Sequence, residues 1–89
     1  MTRGLLRAAP GPLARVGCDP LAGVLSASGT AAARASFVAF LPAASGPGHD
    51  TPWLAGTGLD VFSWKRAPGG GLYAWGWVKP GPWSFTLQR

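Results

Sequence analysis

Side chains able to carry out acid–base or nucleophilic chemistry are scarce in this sequence. It contains one histidine, one cysteine and three carboxylates, all aspartates: His49, Cys18, Asp19, Asp50 and Asp60. Acid–base catalysis needs a base held within reach of the substrate, and often a second group that orients that base. Because these candidates are few and lie far apart in the sequence, the sequence predicts a protein that is not an enzyme.

A serine nucleophile is the one catalytic arrangement that can be assembled on paper. It combines Ser26 or Ser45 with His49 and Asp60. Neither serine lies in the Gly-x-Ser-x-Gly pattern that exposes a nucleophile at a sharp turn. We therefore predict no catalytic residue, and we expect His49 to be a solvated turn residue.

Metal and cofactor motifs are also missing. Cys18 has no second cysteine to pair with, which excludes a disulfide within the chain and zinc or dithiol motifs built on cysteine pairs. The Gly56-Thr57-Gly58 stretch has Val61 where a dinucleotide-binding fingerprint needs glycine, and Gly69-Gly70-Gly71 lacks the Lys-Ser/Thr of a phosphate loop. The sequence predicts no metal and no cofactor.

The charge balance favours acidic partners. The formal net charge is +5 and the sequence pI is near 10.8, although only 12% of the residues are charged. Such a balance fits a nucleic acid, an anionic membrane surface or an import machinery, and charge alone does not choose among them.

Composition adds a different interpretation. Ala, Gly, Pro and Arg, which have GC-rich codons, dominate the chain, whereas Ile, Asn and Glu are absent. An orphan, recently emerged GC-rich open reading frame without a settled function would have this composition. The 14 Gly and 9 Pro favour partial disorder, and the 47% of hydrophobic residues favours collapse.

The elements that would position any binding residues fall in two segments. Residues 1–48, rich in Arg, Ala, Ser, Gly and Pro, are expected to be largely irregular. One short helix is predicted at about 31–41, where alanines follow Thr30, a good N-cap, and the helix ends before Pro42.

Residues 49–89 hold every Trp and are predicted to form strands. Alternation of large apolar and small or polar residues at about 60–66, 72–78 and 83–88, separated by Gly- and Pro-rich turns, indicates a three-stranded antiparallel meander. The predicted fold class is therefore a small α+β protein.

The meander would place seven aromatic residues on one side: Phe62, Trp64, Tyr73, Trp75, Trp77, Trp83 and Phe85. Covered by the predicted helix, they would be a small hydrophobic core. Left uncovered, they would be an interaction face.

The N-terminal segment also has the composition of a mitochondrial transit peptide, being rich in Arg, Ala and Ser and poor in acids. Arg34-Ala35-Ser36 resembles a cleavage point, so the peptide would extend to about residue 35. Mitochondrial localisation is expected, with the cytoplasm as the alternative. The uncharged run from Ala35 to His49 is too short and too interrupted by proline to span a bilayer.

Three functions remain open. The first is a non-catalytic accessory protein whose Trp-rich half binds an unknown protein or membrane complex, for example in mitochondria. The second is the orphan product without a settled function. The third is a basic module that binds single-stranded nucleic acid by stacking bases on aromatic side chains.

Overall fold

The computed structural model describes residues 5–9, 15–19, 21–43 and 51–89. These residues form eight strands: β1 Leu5–Ala9, β2 Arg15–Asp19, β3 Val24–Ala31, β4 Ala35–Leu41, β5 Trp53–Thr57, β6 Leu59–Arg66, β7 Leu72–Val78 and β8 Gly81–Gln88. No helix occurs in the described ranges. The predicted α+β class is wrong, because this part of the chain is all-β.

The strands form two antiparallel sheets of four strands each. Sheet A has the order β1-β4-β7-β6, and sheet B has the order β2-β3-β8-β5. Each sheet places two strands from before position 48 beside two strands from after it, so both segments of the sequence contribute to both layers.

The two sheets are continuous at three corners, where a strand of one sheet leads directly into a strand of the other. β3 enters β4 through residues 32–34, β5 enters β6 at Gly58, and β7 enters β8 through residues 79–80. The second and third corners lie side by side, since the backbone N–H of Lys79 donates a hydrogen bond to the carbonyl oxygen of Gly58 at 2.8 Å. The fold is therefore a four-stranded sheet of long strands folded over on itself.

Gly58 is required at its corner for two reasons. Its φ is +67°, in the left-handed region that glycine tolerates best. A Cβ at this position would also collide with the carbonyl oxygen of Pro82, which lies just across the corner.

The core lies between the two sheets and depends on aromatic rings meeting small residues. Phe37 of β4 and Phe85 of β8 stack with their ring centroids 5.0 Å apart, and Phe62 lies 5.7 Å from both. The remaining buried side chains are mostly Ala and Leu, with Val78 and Trp83. Alternating large and small side chains lets the two inner faces interdigitate at the density of a protein interior.

The predicted helix at 31–41 is wrong. Ala31 ends β3, and Ala35–Leu41 is the strand β4, in which Ala35, Phe37, Ala39 and Leu41 face the core. Alanine favours helices in isolation, but its small side chain also fits beneath the facing phenylalanines. Tertiary packing here overrides the local preference.

The predicted meander is wrong in its third strand. β6 and β7 are antiparallel neighbours joined by a turn in which Gly69 and Gly70 have positive φ. β8, however, pairs with β3 and β5 in sheet B and not with β7. The Lys79–Pro80 connection is a corner between the two sheets. The sequence did not predict β3, which is one of the two strands that pair with β8.

The expectation of a largely irregular N-terminal half is also wrong, because β1 to β4 lie there. β2 and β3 form a hairpin whose turn is stabilised by Asp19. Its Oδ1 accepts hydrogen bonds from the backbone N–H groups of Leu21 and Ala22, both at 3.1 Å. An aspartate that bonds to the following backbone in this way favours a turn.

We expect Phe85→Ala to lower the free energy of unfolding by about 3–5 kcal/mol, because it removes the ring that stacks on Phe37 and leaves a cavity. Denaturant titration followed by tryptophan fluorescence measures this loss. Phe40→Ala is the control, since Phe40 lies on the outward side of sheet A and is only partly buried. Equal losses in the two variants would contradict a core centred on Phe85.

Candidate interaction surface

The outward side of β7 carries three large aromatic side chains in succession, Tyr73, Trp75 and Trp77. We call them the aromatic row. Each keeps 37–39% of its surface exposed. The alternate residues of the same strand, including Leu72, Ala74 and Val78, are buried in the core. Period-two alternation along β7 thus puts the small side chains inside and the large rings in solvent.

This arrangement follows from the space available inside. Gly76 faces inward, and a Cβ there would collide with the carbonyl oxygen of Val61 on the neighbouring strand β6. Phe37 and Phe85 already fill the space between the sheets. The inner side of β7 therefore accepts only Ala- or Gly-sized groups at its centre, and the rings lie on the outer side.

Apolar residues of β4 flank the aromatic row on one side. Val38 is in register with Trp75, and its side chain is 47% exposed. Phe40 is in register with Tyr73, and their ring centroids are 4.8 Å apart with the planes tilted by 40°. The apolar surface therefore continues from β7 onto β4.

Polar residues of β6 flank the other side. Ser63 is in register with Trp75, and the exposed Lys65 is in register with Tyr73. The aromatic row therefore lies between an apolar strand and a polar strand that carries one cation.

Arg34 covers the Trp77 end of the row. Its guanidinium carbon lies 4.1 Å from the centroid of the Trp77 ring, and its Nε lies 3.1 Å from Oδ2 of Asp60. Both charged side chains are about half exposed, so the ion pair adds at most about 1 kcal/mol. Its main effect is that Asp60, the one acid in register with the row, is neutralised.

A β-bulge in β6 turns one apolar side chain outward beside the row. The register with β7 shifts between Asp60 and Phe62, and Val61 between them has φ +57° and is 63% exposed. A left-handed conformation costs an L-residue about 1–2 kcal/mol, and β-branched residues adopt it rarely. Strain of this kind is common where a side chain is re-aimed for function.

Two shallow depressions lie along the row, one on each side of Trp75. The first lies between Tyr73 and Trp75 and is also lined by Val38 and Lys65. The second lies between Trp75 and Trp77 and includes Val38, Val61 and Ser36 among its lining residues. Both are open to solvent, so the surface can admit flat groups from outside.

The outward side of sheet B has a different chemistry. Hydroxyl groups predominate there, from Ser26 and Ser28 on β3 and Ser84 and Thr86 on β8, and Thr57 Oγ1 lies 3.1 Å from Ser84 Oγ. Trp53 of β5 also lies on this side and is 56% exposed. The two broad sides of the molecule are therefore chemically distinct.

The structure does not bring the seven predicted aromatic residues to one face. Trp83 and Phe85 are buried between the sheets, and Phe62 is partly buried against them. Trp64 is in register with the inward-facing Ala74, although it is 37% exposed on the edge strand β6. Only the three residues of β7 share the outward surface.

Four other residues of this surface could not be assigned to it from the sequence. Val38 lies in the segment predicted to be a helix, Val61 is exposed by a bulge, and Arg34 belongs to the predicted cleavage point. Lys65 alternates with Phe62 and Trp64 along β6, but the sequence does not place it beside Tyr73. No local pattern marks a bulge at Val61 in the printed sequence.

The residues considered for catalysis do not assemble in the described part of the chain. Ser45, His49 and Asp50 lie outside the described residues. Ser26 lies in sheet B, whereas Asp60 lies in sheet A and pairs with Arg34. Among the described residues, no three His, Cys, Asp or Glu side chains are close enough to hold a metal ion.

Two further findings limit the architecture. Cys18 is the one cysteine in the sequence, so the chain forms no internal disulfide. In the described ranges, no helix has the length and apolar character needed to cross a bilayer.

The three residues of the predicted cleavage point lie at the corner between the sheets. Arg34 precedes β4, Ala35 begins β4 and is buried in the core, and Ser36 is in register with Trp77. Cleavage after Ala35 would remove β1, β2 and β3, and with β3 one of the two strands that pair with β8. The transit peptide stays a prediction, but a chain processed there would lack much of this fold.

We expect a chain of residues 36–89 not to fold, because β8 loses its pairing with β3 and the core loses Leu25 and Ala27. The dispersion of the NMR peaks of the five tryptophan indoles shows whether the chain has a fixed fold. Clustered indole peaks are expected for the shortened chain and dispersed peaks for the full chain. Dispersed peaks in both would show that the C-terminal strands fold alone.

We expect Val61→Gly to raise the free energy of unfolding by about 0.5–1 kcal/mol. Glycine relieves a left-handed strain of about 1–2 kcal/mol and costs about 0.5–1 kcal/mol in backbone entropy. Thermal and denaturant unfolding measure the change. Val38→Gly is the matched control, because this valine is also exposed but lies in an extended strand, so its replacement should destabilise. A loss in Val61→Gly equal to that in Val38→Gly would contradict the strain.

Comparison with known proteins identifies no relative of this chain. The chain matched no protein-family model, no curated protein and no solved structure. Its function is therefore inferred from the residues of sheet A.

Proposed function

We propose that this protein is a small, non-catalytic interaction module that binds its partner with the outward side of sheet A. The observation that carries the proposal is the aromatic row, Tyr73, Trp75 and Trp77, facing solvent beside Val38 and Val61. Exposed tryptophan, tyrosine and valine side chains that adjoin one another are typical of binding surfaces on soluble domains.

The position of the tryptophans supports the proposal further. Buried tryptophan and tyrosine stabilise a small fold strongly, because each removes about 150–250 Å² from water. Here the core contains one tryptophan, Trp83, whereas Trp75 and Trp77 remain more than a third exposed. In a chain of 89 residues, where core area is limited, such exposure is a cost that binding would offset.

The bulge at Val61 supports it independently. A strained, β-branched and exposed residue lowers the stability of the free protein without contributing to the core. Its side chain instead lines the depression between Trp75 and Trp77. The walls of this depression are tryptophans, which are enriched in binding hot spots.

A photo-crosslinking derivative of phenylalanine placed at position 75 or at position 53 tests the proposal in cells that express the chain, because an aromatic side chain at position 75 keeps the aromatic row complete. Both positions carry exposed tryptophans, but on opposite sides of the molecule. We expect adducts of one reproducible mass from position 75, and few or none from position 53, because the partner would cover sheet A alone. Equal yields from the two positions, or no adduct from position 75, would contradict the proposal.

A further inference from the structure

We infer that the two depressions of the aromatic row receive unpaired nucleobases, so that the ligand of this surface is a single-stranded nucleic acid. The inference rests on the proposed function, because it names the partner of the same surface. It is carried by the spacing of the three rings, by the depressions between them and by the charges around them.

The spacing comes from strand geometry. Residues rise about 3.3–3.4 Å each along a strand, so side chains two apart on one face are separated by about 6.8 Å. Tyr73, Trp75 and Trp77 follow one another at this interval on β7. Side chains stand roughly perpendicular to a sheet, and a flat ring placed midway would lie about 3.4 Å from each neighbour. That is the distance between stacked bases.

The depressions show that the intervals are open. One lies between Tyr73 and Trp75 and the other between Trp75 and Trp77, and Val38 lines both. Trp75 therefore borders both sites. Two successive bases of one strand could stack on either side of its indole, with Val38 of the neighbouring strand β4 beside them. Stacking on aromatic side chains tolerates any base, because every base has a flat apolar face.

The charges fit a phosphate backbone. Lys65 lines the first depression, and the exposed Lys79 follows β7 at the Trp77 end of the row. Asp60 would repel phosphates, but Arg34 pairs with it at 3.1 Å. The chain as a whole has a formal charge of +5. The surface thus combines stacking rings with cations at its ends, as in single-strand binding grooves.

The same residues are less suited to a membrane or to a second copy of the chain. Ser36 and Ser63 are in register with Trp77 and Trp75, so inserting this side into lipid would remove their hydroxyl groups, and the exposed Arg34–Asp60 ion pair, from water. Two copies meeting face to face would each bring a net charge of +5. A single-stranded nucleic acid avoids both penalties, because it leaves the polar side chains hydrated and carries a charge opposite to that of the chain.

Fluorescence anisotropy with a dye-labelled oligothymidylate and the full chain tests the inference, with a duplex of the same length as comparator. We expect the single strand to bind more tightly than the duplex, and binding to weaken as salt is raised. Trp75→Leu should weaken binding by about 5- to 150-fold, since each stacked base is worth about 1–3 kcal/mol. Trp75→Phe should retain most of the affinity, because phenylalanine also stacks.

Two further variants separate stacking from other causes. Lys65→Gln should reduce the slope of log K against log salt by about 0.7, the contribution of one phosphate contact on a single strand. Trp53→Ala, on the opposite side of the molecule, should bind as the unaltered chain does. Circular dichroism of each variant establishes whether it is folded. If Trp75→Leu does not fold, Lys65→Gln still tests the inference, because it leaves the aromatic row unchanged.

Three results would overturn the inference: no binding of the single strand, equal binding of the duplex, or equal affinities for Trp75→Leu and the unaltered chain. If crosslinks still form from position 75 and not from position 53, the proposed function survives and the ligand is different. Anionic lipid vesicles and sedimentation of the protein alone then identify a membrane or a second copy. If position 75 gives no crosslinks either, the proposed function fails as well.

Discussion

The stack of Phe37 on Phe85 holds the two sheets together, and much of the remaining structure depends on it. Phe62 packs against both rings, so three phenylalanines fill the centre of a thin sandwich. On β7 the residue in register with both Phe37 and Phe62 is Gly76, and the next inward residue is Ala74. The inward side of β7 is therefore small at its centre, and its large rings lie on the outer side.

The outward side of sheet A combines features that reduce the stability of the free protein. Its tryptophans are only partly covered, Val61 has a left-handed backbone, and Gly76 gives up a side chain so that the bulge can fit. Sites that bind are commonly less stable than they would be if selected for folding alone. Sheet B, whose outer side is mainly hydroxyl-bearing, also exposes a tryptophan, Trp53, but among the residues described it has no left-handed backbone other than at glycine.

The alternation of large aromatic and smaller residues in β7 is visible in the sequence, and it correctly predicted that Tyr73, Trp75 and Trp77 share a face. What could not be predicted was which face is buried, because that depends on the opposite sheet. β3 carries a period-two signal, Leu25 and Ala27 against Ser26 and Ser28, but its many small residues resemble a loop. β4 is apolar on both sides, so its alternation is hidden. Corners such as Lys79–Pro80 have the same residues as hairpin turns, and only the tertiary partner distinguishes them.

The corners also determine how the chain reaches this structure. The hairpin of β6 and β7 is local, whereas β3 must find β8, a strand from the far end of the sequence, before either sheet is complete. Closing such a long loop costs entropy before any contact compensates for it, and folds dominated by distant strand pairs fold in about milliseconds to seconds. During that interval β8 has an unpaired edge and the tryptophans of β7 are fully accessible. A nascent chain of this kind is therefore most prone to aggregation before β3 and β8 have paired, and an early ligand on the aromatic row would shield it.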